Sequence, residues 1–344
     1  MRNLRPLFTA LMLIFMMGQL SAQTNELAPL FQTEELIQLT IKADLSAIQA
    51  DRGATAEYHG AQLLYGDGTG DFDKIKIKLR VRGRYRRDEL VCQFPPLKMK
   101  ISKKHVVKDG PFAHQRKLKI VTHCQDEQYV LREYYLYKVY NMVADQSFQV
   151  RLAQITWKDT SGKYPDETRF AFFIEDKEMM AERMSESLVS EDVNLANDDV
   201  NRDLLTKVHL FNFMIANKDF NVKVRQNVEV ITQHNDLPVV VPYDFDWSGM
   251  VDASYTKMTY NSKPSYYDRM VFQPLCRNEG EFLSAVAEFR EIYPHIRELY
   301  RESPYLSKES VKESLKYYKH FFKVVQNPKK VQSLLVDSCN QGSR

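Results

Sequence analysis

The chain has 344 residues, with 48 Lys and Arg against 45 Asp and Glu, and a formal net charge of +3. So small an imbalance argues against a dedicated nucleic-acid binder, which carries a marked basic excess. With 44% hydrophobic and 12% aromatic residues but only 12 Gly and 13 Pro, the sequence is neither collagen-like nor of low complexity, and its length allows two lobes of roughly 150 residues.

Arg2 and Arg5 precede an apolar run over residues 7–17, and Gly18-Gln19-Leu20-Ser21-Ala22 ends it in small residues. This is the pattern of a secretory signal peptide, with cleavage expected after Ala22. The run is shorter than the roughly 20 apolar residues that span a bilayer, and no Cys follows it to accept a lipid. A periplasmic or secreted protein is expected, with no membrane span after cleavage. Cys92, Cys124, Cys276 and Cys339 then lie where disulfides are chemically permitted, with three possible pairings. None forms a C-x-x-C pair of the kind that zinc sites use.

Residues 36–41 alternate at period two and read as a strand. The most regular segment is Lys74-Ile75-Lys76-Ile77-Lys78-Leu79-Arg80-Val81-Arg82, a strand with Ile75, Ile77, Leu79 and Val81 on one side and five cations on the other. Those cations are either a solvated face or a wall for a polyphosphate or an acidic substrate. Gly83 marks a turn into Arg84-Tyr85-Arg86-Arg87, and the chain returns through Phe94-Pro95-Pro96 into a strand at 97–101. Another strand at 117–121 precedes a helix in which Leu131, Tyr135 and Val139 recur at helical spacing. Strands follow at 150–157 and 169–174, separated by Asp159-Thr160-Ser161-Gly162-Lys163.

Beyond Glu175 a polar stretch leads into a buried helix over 204–215, then two short strands at 228–231 and 239–241 around His234-Asn235-Asp236. The C-terminal part is helical, with Phe282, Val286, Phe289 and Tyr293 on one stripe and a Ser307-capped helix carrying Val311, Leu315, Tyr318 and Phe322. Asn327-Pro328 opens a last short helix. The expected organisation is a signal peptide over 1–22, a sheet-rich lobe over 23–175 and a helical lobe over 176–344 that carries the catalytic loop.

Two clusters suggest chemistry. Pro242-Tyr243-Asp244-Phe245-Asp246 places two carboxylates two apart at a strand end, where hard oxygen ligands on one side invite Mg²⁺ or Mn²⁺. Asn217-Lys218-Asp219-Phe220-Asn221 ends the buried helix, with Asn227 opening the next strand. An Asp at such a junction accepts a proton from a hydroxyl, and an amide oxygen completes a metal shell. The order of Asp219, Asn227 and Asp244 is similar to that of base, metal amide and metal carboxylate in protein kinases. Asp67, Asp71 and Asp73 are spaced faintly like a calcium loop, but lack the downstream Glu it requires. Serine-hydrolase, zinc-protease and P-loop motifs do not occur.

Arg82-Gly83-Arg84-Tyr85-Arg86-Arg87, Phe94-Pro95-Pro96-Leu97-Lys98, Leu131-Arg132-Glu133-Tyr134 and Pro242-Tyr243-Asp244-Phe245-Asp246 together resemble the CotH kinase family, secreted atypical protein kinases first associated with bacterial spore coats. The resemblance runs from about Leu36 to Ser254. It implies an α+β, protein kinase-like two-lobed fold, with an antiparallel-sheet N-lobe and a mainly helical C-lobe, that uses ATP and Mg²⁺ or Mn²⁺ to phosphorylate protein Ser or Thr hydroxyls. Carried over by position, Asp219 is the general base, Asp244 the main metal ligand, and Asn227 and Asp246 its helpers. Arg82 and Gly83 cover the phosphates, Lys98 or Lys100 contacts them, and Glu133 pairs with that lysine. The chain departs from the family pattern at Phe220, where Trp is usual, and at Gln226, where His is expected. Lys218 beside Asp219 is expected to depress the base's pKa. These departures leave an alternative: a catalytically weak pseudokinase, or an envelope-associated binding protein that uses its cationic strand face.

Overall fold

The computed structural model describes residues 27–66, 72–102, 109–257 and 269–341. The expected signal peptide and its cleavage point lie outside the described residues, as does most of the 67–73 acidic loop.

Seven strands close into a barrel. They are β1 (Ile37–Ala43), β2 (His59–Gly66), β3 (Phe72–Val81), β4 (Leu97–Ile101), β5 (Lys117–Val121), β6 (Val150–Asp159) and β7 (Glu167–Ile174), in the order β1-β2-β3-β4-β5-β7-β6 around the wall. All neighbours are antiparallel except β1 and β6, which run parallel with Ile37 opposite Ala153 and Ala43 opposite Asp159. This overturns the expected α+β, kinase-like two-lobed fold with an antiparallel-sheet N-lobe: the sheet is closed and mixed. The physical reason is the first strand. β1 bonds β2 on one side and β6 on the other, so neither edge is left unpaired and the sheet curls onto itself. Alternation along each strand then sends one set of side chains inward. Leu39, Ile41, Leu63, Ile77, Leu79, Leu97, Ile120, Ile155, Trp157 and Phe173 form the packed interior. Full burial of a side chain such as Leu79 or Phe173 contributes about 1.5–3 kcal/mol.

Helix α1 (Leu45–Ala50) follows β1, capped by the Asp44 side chain on the Ala47 N–H. Helix α2 (Glu127–Val143), capped by Asp126, packs on β7 and is buried nearly all round. After β7 come α3 (Lys177–Arg183), α4 (Arg202–Met214) and a two-stranded sheet of β8 (Val228–Gln233) and β9 (Asp236–Pro242). Then follow α5 (Ser254–Lys257), α6 (Glu279–Arg301) and α7 (Lys308–Val325). Asn278 and Glu281 close a reciprocal capping box at the start of α6, and Ser307 caps α7 as its sequence suggested. These helices, β8, β9 and the inner face of α2 share a second apolar core, separate from the barrel interior.

The four cysteines form two disulfides, Cys92–Cys124 and Cys276–Cys339. The first ties the loop after β3 to the turn that starts α2. That loop is also gripped by Arg52, which donates to the carbonyls of Cys92 and Gln93, both at 2.7 Å.

Candidate active site

Three segments deliver the functional side chains to one place. The first is the turn after α4. Asn212, buried within the helix, donates to the Val208 carbonyl and accepts from the Asn217 amide, both at 2.8 Å. Asn217 in turn accepts from the Asp219 N–H at 3.0 Å. A buried polar chain therefore sets the start of the Asp219 loop. Ala216 takes φ 56° there, and Gly249 packs against it so closely that a Cβ at Gly249 would lie 2.9 Å from Ala216 Cβ.

Asp219 is half-buried. Its carboxylate accepts from Asn227 Nδ2 at 2.8 Å and from the Gln226 amide. Burial raises its pKa, the Asn227 bond opposes the rise, and the charge on Asp244 adds to it. The depression expected from Lys218 is not found. Lys218 is exposed, and burial dominates instead. Asn227, expected as a metal ligand, uses its amide N–H groups on Asp219.

The second segment follows β9. Asp244 sits at φ 62°, a left-handed conformation that a non-glycine residue adopts only when its surroundings hold it there. Its N–H donates to the hydroxyl of Tyr137, a buried residue of α2, at 2.8 Å. Its carboxylate meets Arg86 Nη2 at 2.8 Å and Arg82 Nη2 at 3.9 Å. Burial alone would raise the Asp244 pKa, but Arg86, Arg82 and Lys119 outweigh it and hold the carboxyl below its ordinary range. Asp246 is buried and accepts from the Tyr255 hydroxyl at 2.9 Å. Burial and the neighbouring Asp244 push it up to about 7, against the pull of Arg86.

The third segment is the loop that leaves β3 through Gly83, whose φ of 97° suits a residue without a side chain. The loop turns Arg86 inward. Its guanidinium lies 2.8 Å from Asp244, 3.2 Å from Asp246 and 3.7 Å from Glu133, so one buried cation faces three carboxylates. Tyr85 packs edge-on against Trp247 at 5.2 Å and fixes the loop over the Asp244 turn. Among the described residues Glu133 therefore pairs with Arg86 and not with a lysine. Burial pushes the Glu133 carboxyl well above its ordinary value, and its Oε1 is buried without a hydrogen-bond partner. Oxygens of Glu133, Asp244 and Asp246 lie within 4.8 Å of one another.

Beside this cluster opens a cleft of about 610 Å³, lined by Arg80, Arg82, Gly83, Lys98, Lys117, Lys119, Asp176, Glu229 and Tyr243 among others. That volume falls within the roughly 300–1,000 Å³ of small-molecule sites. The sheet register brings three of its cations together. Arg80, Lys98 and Lys119 stand side by side on β3, β4 and β5. In the next row, Lys78, Lys100 and Lys117, Lys117 still lines the cleft, while Lys78 and Lys100 lie outside it. Lys119, to which the sequence reading gave no role, is the lysine most enclosed by this site. It lies 4.3 Å over the Tyr243 ring, and burial, with Arg82 adding to it, pushes its pKa down to about 8. Arg82 Nη1 is buried with no hydrogen-bond partner among the described residues.

No family model matches the chain, and no curated protein matches it. Among solved structures it is similar to a Helicobacter pylori proinflammatory kinase, CtkA, at 12% identity over 72% of this chain and 94% of that one, with a TM-score of 0.37. A likeness of that degree carries no argument about the fold or the activity of this chain.

Proposed function

We propose that the chain transfers the γ-phosphoryl group of ATP to serine or threonine hydroxyls of proteins in a metal-dependent reaction, in the periplasm or outside the cell. The observation that carries this reading is the position of Asp244 beside a cationic cleft: Arg82 and Lys119, which line that cleft with Lys98, act on its carboxylate, and Asp246 and Asp219 stand behind it in the same field. Each half suits a different part of the substrate. The lysines and the unpartnered Arg82 Nη1 fit phosphate oxygens. The hard oxygens of Asp244, Asp246 and Glu133, with Glu133 Oε1 unpaired, fit Mg²⁺ or Mn²⁺. A divalent ion held there would neutralise charge on the transferring group. Asp219, aimed by Asn227 and Gln226, takes the proton as the acceptor oxygen bonds to the γ-phosphorus and ADP departs. Its raised pKa makes it a better proton acceptor than an exposed carboxylate. The paired cysteines suit an oxidising compartment.

A second reading rests on Arg86. A guanidinium held among Glu133, Asp244 and Asp246 neutralises the cluster without a metal, which favours an exported binding protein with little or no turnover.

Incubation with γ-labelled ATP, Mn²⁺ and a mixture of exported proteins tests both. Label on serine or threonine that disappears in Asp219→Asn supports transfer. Nucleotide binding without label, indifferent to that substitution, supports the second reading. Absence of nucleotide binding defeats both.

A further inference from the structure

The outer wall of the barrel carries a second cationic surface, away from the acid cluster. The register stacks its side chains in rows across the strands. Lys42, Gln62 and Lys76 are neighbours on β1, β2 and β3, and Gly60, Lys78, Lys100 and Lys117 are neighbours on β2 to β5. Between these rows lies a groove of about 950 Å³ lined by Lys42, Lys76, Lys78 and Lys100, with Gly60 and Ala61 in its floor. All four lysines are exposed, and among the described residues no carboxylate lines the groove. A Cβ at Gly60 would meet nothing within 4 Å, so the floor is open. Like charges placed opposite one another, as Lys78 and Lys100 are, repel unless an anion lies between them.

We propose that this groove binds an extended acidic segment of a partner protein. The spacing argues for that occupant. Alternate residues of a strand repeat at about 6.8 Å, and neighbouring strands lie about 4.8 Å apart. An extended peptide with Asp or Glu at every second position offers carboxylates at the same repeat as Lys76 and Lys78. Lys100, on the adjacent β4, and Lys42, on β1 beyond β2, line the groove on either side of that row. A polynucleotide fits less well, because the chain as a whole is nearly charge-balanced. The groove also adjoins the cleft: Tyr58 lines both, with Arg80 4.8 Å and Lys100 5.6 Å from its ring centre. Binding here does not depend on phosphoryl transfer, since none of the four lysines lines the cleft.

The test is fluorescence anisotropy at low salt with a short labelled peptide alternating Asp and Thr, its Asn-for-Asp counterpart and a labelled oligonucleotide. The expected result is binding of the Asp peptide, at least tenfold weaker binding of the Asn peptide, and loss of affinity with added salt. Lys76→Glu combined with Lys78→Glu should weaken the Asp peptide at least tenfold, and the milder Lys76→Gln with Lys78→Gln should weaken it to a smaller degree. Gly60→Leu, which fills the floor without changing charge, should weaken it too. Equal binding of the Asn peptide, indifference to both double variants, or tighter binding of the oligonucleotide than of the Asp peptide would overturn the proposal.

Discussion

The Asn227 side-chain amide donates to both the backbone carbonyl and the carboxylate of Asp219, at 2.7 and 2.8 Å. A residue at the start of β8 thereby fixes the rotamer of a residue in the turn after α4. On the proposed reaction, Asp219→Asn should lower phosphoryl transfer by roughly 10²- to 10⁴-fold while ATP binding persists. Asn227→Ala leaves the carboxylate present but unaimed, so kcat should fall with KM for ATP little changed. Single-turnover label transfer and equilibrium binding measure the two effects separately.

Arg86 is the only cation in direct contact with all three acids of the buried cluster among the described residues. Arg86→Ala strands those carboxylates, and removal of one partner from a buried ionic group costs about 3–5 kcal/mol. The denaturant midpoint should drop accordingly. Because the cluster then lacks its counter-charge, Mn²⁺ should restore more of the lost stability in the variant than it adds to the native protein.

Lys119 gives the cleft a pH dependence. Folded, it loses its proton near pH 8, whereas in the unfolded chain it keeps the proton to about 10.5. Between those values the unfolded state binds more protons, so stability should rise with pH over that interval and the rise should vanish in Lys119→Met. Nucleotide affinity should move the other way, falling above pH 8 as the ammonium is lost. Urea titrations and ATP binding across pH 7 to 11 check both signs.

Both disulfides close long loops, with sequence separations of 32 and 63 residues. The chain-entropy relation gives about 4 kcal/mol for each. Replacement of Cys92 and Cys124 by Ser should have a further consequence, since that bridge anchors the loop that carries Arg86. It should weaken nucleotide binding, while the Cys276–Cys339 pair, remote from the cleft lining, should affect stability alone.

Local chemistry was legible in the sequence; pairing was not. The alternation at β1 and β3, the Ser307 cap and the acids at 219, 244 and 246 follow from residue type and short spacing. The barrel does not, because it is closed by the parallel pairing of Ile37 with Ala153, a contact without any local signal. Strand β2 was missed because Leu63, Leu64 and Tyr65 are buried in succession, which breaks the period-two pattern. Lys98 and Lys100 share a face of β4; the register sets Lys98 beside Arg80 and Lys119 at the cleft, while Lys100 lines the groove although its β5 neighbour Lys117 lines the cleft. The same register exposes Lys119 as a cleft residue. Arg86 lay in a run of three arginines, and its choice over Arg84 or Arg87 depends on the path of a loop fixed by Tyr85, Arg52 and a disulfide.

The most direct measurement is calorimetric titration of ATP into the native protein and Asp244→Asn, each with and without Mn²⁺. Binding that requires the metal in the native protein and is abolished in the variant is the predicted result. Equal heats from both proteins, or none from either, would contradict a metal–nucleotide site at Asp244.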